Sequence, residues 1–146
     1  MGRGRHALVL ARAGLRTFGV DVKLDAVRDA IAAAAADGLV VRGWCADLET
    51  RSVLPADRFD IVVVTRYLQR DLFPSLRTTV APGGLILYET FTIAQRALGR
   101  GPTSADHLLE PGELRQRFDG FEVLFYEEVA APDAVARIVA RRPTSN

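Results

Sequence analysis

One cysteine, Cys45, is all the chain has, so no intrachain disulfide can form and the count fits a reducing, cytoplasmic setting. A lone cysteine otherwise behaves as a small hydrophobe. No apolar run comes near the roughly 20 residues that a membrane span needs, so no membrane partner is expected. Arg12 and Arg16 interrupt the stretch in which a signal peptide would need its apolar region. The net charge is +1, and no basic stripe with interleaved aromatics appears, which argues against a nucleic-acid partner. The early arginines Arg3, Arg5, Arg12 and Arg16 are a local cluster, read either as a solvated helix face or as a phosphate patch. Histidines are few, His6 and His107, and "DHLLE" lacks a partner at helical spacing, so no metal site is expected. There is no internal repeat. What is present is ordinary for a globular chain: 146 residues, 49% apolar and 25% charged, enough for a single domain over 1–146 with one core. Self-association is left open.

Hydrophobic periodicity organises the chain. Leu8, Ala11 and Leu15 share a helical face, and Gly14 stops that helix. "RTFGVD" (16–21) is a strand ending in an acid. Leu24, Val27, Ile31 and Ala34 recur at helical spacing, and Asp37-Gly38 closes this helix. "LVVRGWCAD" (39–47) is a second strand ending in an acid. The β-branched run Ile61–Val64 suits a strand buried on both faces, as in a parallel sheet. Leu68 to Val80 is helical in places, "APGG" (81–84) is a sharp turn, and "LILYETF" (85–91) is another buried strand. Residues 92–107 read as a loop, and 109–120 as a helix with Pro111 in its first turn. Two final strands, 121–129 and 134–143, alternate with a period near two and form an antiparallel hairpin across "AAPD". Alternation of this kind means an α/β fold: a Rossmann-like, doubly wound, mostly parallel sheet closed by a C-terminal antiparallel hairpin.

In open α/β sheets ligands bind beyond the carboxyl ends of the strands. Asp21 lies 17 residues after Gly4, and an acid about 20 residues past a glycine loop accepts hydrogen bonds from ribose hydroxyls. Its other reading is a cap for the next helix. Asp47 either accepts from the exocyclic amine of adenine or is a solvated loop acid. The conjunction of Gly2-x-Gly4 with two strand-end acids is more specific than any one of them.

These stretches carry a resemblance. "GRGRHALVLARAG…FGVD", "CADLE", "FDIVVVTRYL", "PGGLILYETF" and "FEVLFYEE…ARIVARRP" together resemble a class I S-adenosylmethionine-dependent methyltransferase, of the small bacterial type similar to the tellurite-resistance group. The resemblance runs from Gly2 to Pro143 and implies S-adenosyl-L-methionine as cofactor. It implies that Gly2 and Gly4 form the second half of the glycine loop, that Asp21 holds the ribose hydroxyls, and that Asp47 meets the adenine amine with Leu48 packing on the ring. Thr65, Arg66 and Tyr67 would follow the strand where cofactor and substrate meet. Arg66 is equally read as a solvated strand-end charge. Tyr88, Glu89 and Thr90 end the next strand, with Glu89 either facing substrate or serving in a cap or salt bridge. His107 follows a segment read as a lid, although a loop histidine is more often a surface residue. The implied reaction is methyl transfer to a small-molecule acceptor, an in-line displacement governed by proximity and alignment. A general base is needed only if the acceptor must lose a proton, and His6, His107, Tyr67, Tyr88 and Glu89 are the possible helpers; the candidate catalytic residues are Arg66, Tyr67, Glu89 and His107.

The resemblance also exposes an absence. Members of the family begin the site with a strand that supplies an acid and a small residue ahead of the glycines, whereas here Met1 stands before Gly2. That strand is central in the family fold. Losing it removes several hydrogen bonds of on the order of 1 kcal/mol each, plus apolar burial, from a stability of roughly 5–15 kcal/mol. The expectation is an N-terminally truncated domain: a misassigned gene start, or a fragment with compromised cofactor binding. Two other readings stand beside it. Gly2-x-Gly4-x-x-Ala7 satisfies G-x-G-x-x-[GA], so an NAD-type dinucleotide-binding domain is one. A non-catalytic methyltransferase remnant or interaction module is the other.

Overall fold

A computed structural model of the chain describes residues 1–50 and 54–144. They form two compact units, Met1–Val53 and Leu54–Asn146.

The first unit begins with α1 (Arg5–Arg12), followed by β1 (Thr17–Asp21), α2 (Leu24–Ala36) and β2 (Val41–Cys45). Strands β1 and β2 pair in parallel, from Thr17 opposite Val41 to Asp21 opposite Cys45. The alanine-rich α2 helix is favoured by the low entropic cost of alanine and lets neighbouring backbone approach closely. Its Val27, Ala30 and Ala34 are buried, and Ala34 joins Ala7, Ala11 and Val41 in a small core flanked by Met1, Leu8 and Leu39. Gly14 at φ 82° and Gly38 at φ 70° stand just past the two helices, as the sequence indicated. Because α1 stops before Gly14, Leu15 lies beyond the helix and is exposed rather than sharing its apolar face.

The second unit contains β3 (Phe59–Thr65), α3 (Phe73–Thr79), β4 (Val80–Phe91), α4 (Glu113–Arg117), β5 (Glu122–Val129) and β6 (Val135–Arg141). The strand order is β3-β4-β6-β5, with β3 parallel to β4 and the other pairs antiparallel. The closing hairpin therefore inserts β6 beside β4 and leaves β5 at the edge. The core is aromatic and aliphatic. Phe73 stacks on Tyr88 at 5.4 Å, Phe118 meets Phe73 edge-on at 5.7 Å, and Leu76, Ile86 and Ile138 are buried around them.

Four sequence expectations change here. "APGG" does not end an element: it is a bulge within β4, where Phe59 pairs with Val80 but Ile61 pairs with Leu85. Gly83 turns there at φ 78° and donates to the Arg142 carbonyl, so the ladder resumes without a break. Residues 92–107 are not an open loop, since they hold short 3₁₀ turns at Ile93–Leu98 and Ala105–His107. The buried Gln95 ties this segment down, accepting from Ala134 N–H and donating to the Arg100 carbonyl. The helix expected over 109–120 is only Glu113–Arg117, because Gly112 at φ 74° starts it late. Finally, the Ile61–Val64 run is not buried on both faces. Ile61 is exposed and the valines are half-buried, consistent with a strand that pairs only with β4 among the described residues. Likewise, among the described residues, β1 pairs only with β2. Among the described residues no helix is long and apolar enough to cross a membrane.

Candidate functional site

Two groups of candidate residues sit at strand ends, one in each unit. In the first unit β1 delivers Asp21 at its carboxyl end, immediately before α2. Its Oδ2 accepts the Gly2 N–H at 2.7 Å and the Met1 nitrogen at 3.0 Å, and its Oδ1 accepts the Lys23 N–H at 3.0 Å. Burial by itself would raise the Asp21 carboxyl, but the Lys23 and Gly2 N–H groups and the positive Met1 nitrogen outweigh it and hold the pKa at about 2. Asp21 is thus a permanently ionised acceptor near neutral pH. No side chain caps α2, so the helix-cap reading of Asp21 does not hold: one of its oxygens holds the Lys23 N–H just before the helix, and the other grips the glycine loop.

Gly2 and Gly4 both adopt left-handed backbone, at φ 54° and 82°. Their requirements differ. A Cβ on Gly2 would meet open space, whereas one on Gly4 would lie 2.6 Å from Ala30 Cβ. Gly4 is therefore needed to seat the loop on α2, and Gly2 keeps an exposed backbone that a ligand can approach. Asp47 and Leu48 follow β2. Asp47 is exposed and its Oδ1 accepts the Glu49 N–H at 2.9 Å, so its hydrogen bonding is local and does not join Asp21. Leu48 is half-buried.

In the second unit Thr65 and Glu89 are register partners at the ends of β3 and β4. Arg66 follows Thr65 with a φ of 54°, a conformation few non-glycine residues adopt and one that concentrates at functional positions. Its Nε donates to Glu89 at 3.2 Å, its Nη2 to Asp133 at 3.0 Å, and its guanidinium lies 4.4 Å from the centre of the Phe91 ring. Glu89 also accepts from Arg137 at 2.5 Å, Arg137 pairs with Glu127, and Arg100 pairs with Asp133. Three arginines and three carboxylates form one neutral network. Burial would raise Glu89, but Arg137 and Arg66 hold it below the ordinary carboxylate range. A carboxylate so stabilised is a poor proton acceptor, and its geometry is that of a clamp on Arg66.

Tyr67 is half-buried, and its carbonyl accepts the Tyr88 hydroxyl at 2.8 Å. Burial pushes the Tyr88 phenol well above its ordinary value, which keeps it neutral. His107 is exposed, in a segment held by Arg70. Arg70 donates to the carbonyls of Ala105, Asp106 and Leu108 and pairs bidentately with Glu113 at 2.8 Å for each contact. The geometry thus links Gly2 with Asp21, and Arg66 with Glu89, and assigns His107 to the Arg70 clamp. Asp133, Arg137, Arg70 and Glu113 were not singled out from sequence. Their pairing depends on strand register and on a 43-residue separation for Arg70 and Glu113, which no local pattern reports.

No protein-family model and no curated protein sequence matches the chain. Solved structures do. TehB from Haemophilus influenzae superimposes with a TM-score of 0.78 at 17% identity, over 97% of this chain and 55% of TehB. An S-adenosylmethionine-dependent methyltransferase from Mesorhizobium loti gives 0.77 at 21% identity, over 97% of this chain and 87% of that one. The [4+2]-cyclase SpnF gives 0.76 at 17% identity, over 98% and 72%. The chain thus spans about half the length of TehB and nearly three quarters of SpnF. With both strand ends and the sheet order in place, the chain has the Rossmann-like class I S-adenosylmethionine-dependent methyltransferase fold.

Proposed function

We propose that the chain binds S-adenosyl-L-methionine and serves methyl transfer to a small-molecule acceptor. The observation that carries the reading is Asp21: an ionised carboxylate at the carboxyl end of β1, joined by a 2.7 Å hydrogen bond to the exposed backbone of Gly2. That donor and acceptor set suits a ribose. The carboxylate accepts hydroxyl protons, and the left-handed glycine leaves backbone open to a ligand. Asp47 and Leu48 are the proposed contacts for the adenine, and Gly2 and Gly4 for the amino-acid part.

When bound, the cofactor supplies an electrophilic methyl group on a sulfonium. The chain's own residues have to hold and orient the reactants. In this reading Thr65 is a proposed cofactor contact and Arg66 a proposed acceptor contact, both carried at the carboxyl end of β3. Glu89 and Asp133 fix the Arg66 guanidinium, and Phe91 supports its plane. Neither Glu89, held low, nor Tyr88, held high, suits a base near neutrality, so the residues act by placement rather than by proton removal.

The fold alone does not decide the chemistry, since SpnF is described as a cyclase. One observation favours an NAD-type domain instead: Ala7, at the third position of the glycine pattern, is buried, as close helix packing there demands. Thermal unfolding separates the two. A ligand at about 100 times its Kd stabilises by roughly 2.7 kcal/mol, which for a chain of this length raises Tm by about 6–10 °C. S-adenosylhomocysteine is expected to give that rise and NAD none. The opposite pattern would support the dinucleotide domain, and a flat response to both would support a non-catalytic remnant.

A further inference from the structure

Resting on the reading that Arg66 contacts the acceptor, we propose that Asp133 is a positioning residue that couples Arg66 to a hinged loop, residues 93–108. The loop is built as one movable piece. It leaves the carboxyl end of β4, and its two ends are closed on each other by a parallel bridge between Thr92 and Leu109. There the Ile93 N–H donates to the Leu109 carbonyl and the Leu109 N–H to the Phe91 carbonyl, each at 2.9 Å. A compact loop on a closed stem swings without disturbing the strand that carries it. From Arg96 to His107 every residue is exposed or half-buried, so little apolar burial opposes that movement.

Side-chain tethers hold the loop instead. The buried Gln95 fixes its stem to the Ala134 N–H, and Arg70 holds its returning end by the carbonyls of Ala105, Asp106 and Leu108. The tip is held by Arg100, whose Nη2 lies 2.9 Å from Oδ1 of Asp133 and also donates to the Pro132 carbonyl. The other oxygen of the same carboxylate, Oδ2, accepts from Nη2 of Arg66 at 3.0 Å. Asp133 itself stands between β5 and β6, in neither the loop nor β3. One carboxylate is thus divided between the loop tip and the residue proposed to meet the acceptor.

That division makes the two contacts compete. An acceptor oxygen that draws Arg66 Nη2 to itself leaves Asp133 to Arg100 and tightens the loop beside the end of β3. Release of Arg100 leaves Asp133 to Arg66. Such coupling is reciprocal, and charge-assisted hydrogen bonds are strong enough to carry it. Glu89 keeps its hold on Arg66 Nε throughout, so the guanidinium stays placed while its second partner changes.

Leu98 is exposed in the loop, so the rate of thermolysin cleavage between Ala97 and Leu98, mapped by mass, reports the open population. In Arg100→Ala cleavage is expected to be at least tenfold faster, and the Arg66 Nε–H resonance to shift as Asp133 turns to Arg66. Arg100→Lys, which restores the ion pair, should bring both readouts back toward the native values. In Arg66→Gly, which keeps the left-handed backbone and leaves Asp133 to Arg100, cleavage should be at least threefold slower. A cleavage rate unchanged or raised in Arg66→Gly, or an Arg66 resonance unmoved in Arg100→Ala, overturns the coupling; an Asp133 that only braces its turn gives those results. If Arg66→Gly does not fold, the Arg66 resonance in Arg100→Ala decides alone. S-adenosylhomocysteine binding is measured on the native chain alongside. Its absence overturns the methyl-transfer reading and the acceptor role of Asp133 with it, whereas binding with the two loop readouts unmoved overturns the coupling alone.

Discussion

Arg66 and Glu89 meet twice across the ends of β3 and β4. The Arg66 backbone N–H donates to the Glu89 carbonyl at 2.8 Å, and its guanidinium donates to the Glu89 carboxylate at 3.2 Å. The double link holds Arg66 at φ 54°, a conformation that costs a residue with a side chain roughly 1–2 kcal/mol. The cost is sustained by the ion pairs and by the stack on Phe91.

This makes Arg66→Gly and Arg66→Ala different experiments. Both lose the pairs with Glu89 and Asp133, but only glycine relieves the backbone. After allowing for the greater freedom of glycine in the unfolded chain, Arg66→Gly is expected to be about 0.5–1 kcal/mol more stable than Arg66→Ala. Urea unfolding of the two variants measures the difference. Equal stability would show that the left-handed conformation stores no cost.

The two loop glycines are expected to respond unequally to alanine. Gly2→Ala adds a side chain into open space and incurs only the backbone cost, about 1 kcal/mol. Gly4→Ala adds a Cβ 2.6 Å from that of Ala30 as well, and should lose about 2–4 kcal/mol. Denaturant midpoints for both variants check this. A Gly4→Ala loss no larger than that of Gly2→Ala would mean that α2 yields, and that Gly4 is not a packing residue.

Glu113 is the buried hub of the second unit, accepting from Arg70, Arg117 and the Glu110 N–H. Burial alone would raise its carboxyl, but these donors hold it at about 2. Its folded pKa is below the unfolded value, so its contribution is complete above about pH 4.5 and lost as the pH falls toward 2. The size of that contribution is about 3 kcal/mol. Stability measured by urea unfolding between pH 5 and 2.5 should fall steeply in the native chain. In Glu113→Gln it should fall less, with a residual slope left by Asp21, and the variant should start about 2–3 kcal/mol less stable at pH 7. Parallel pH curves for the two chains would contradict the assignment.

Glu89 provides a separate electrostatic test. Its carboxyl carbon, followed by NMR, is expected to titrate below the ordinary carboxylate range, and Arg137→Ala should raise it by removing the closest donor. An ordinary titration in the native chain would reopen Glu89 as a base.

The sequence made the elements legible wherever local pattern governs them. Gly14 and Gly38 stop helices because they take left-handed backbone, and the period-two alternation of 135–141 reports one buried face, whereas 122–129 buries no residue and exposes the adjacent Leu124 and Phe125 where its register shifts. Asp21 was legible as a strand-end acid because its distance from the glycine loop is a chain property. What stayed hidden depends on register. Nothing near Arg66 announces Asp133, 67 residues away, and nothing near "PGEL" announces Arg70. Residues 92–107 looked open because their glycines and prolines suppress periodicity, yet Gln95, Arg96 and Arg70 tie them down by hydrogen bonds to backbone.

The most direct test of the central claim is calorimetric titration of S-adenosylhomocysteine into the native chain and into Asp21→Ala. The account expects saturable binding at one site per chain in the native protein and at least a tenfold loss of affinity in Asp21→Ala, with NAD giving no heat in either. No heat with S-adenosylhomocysteine, or equal affinity with and without the Asp21 carboxylate, would contradict it.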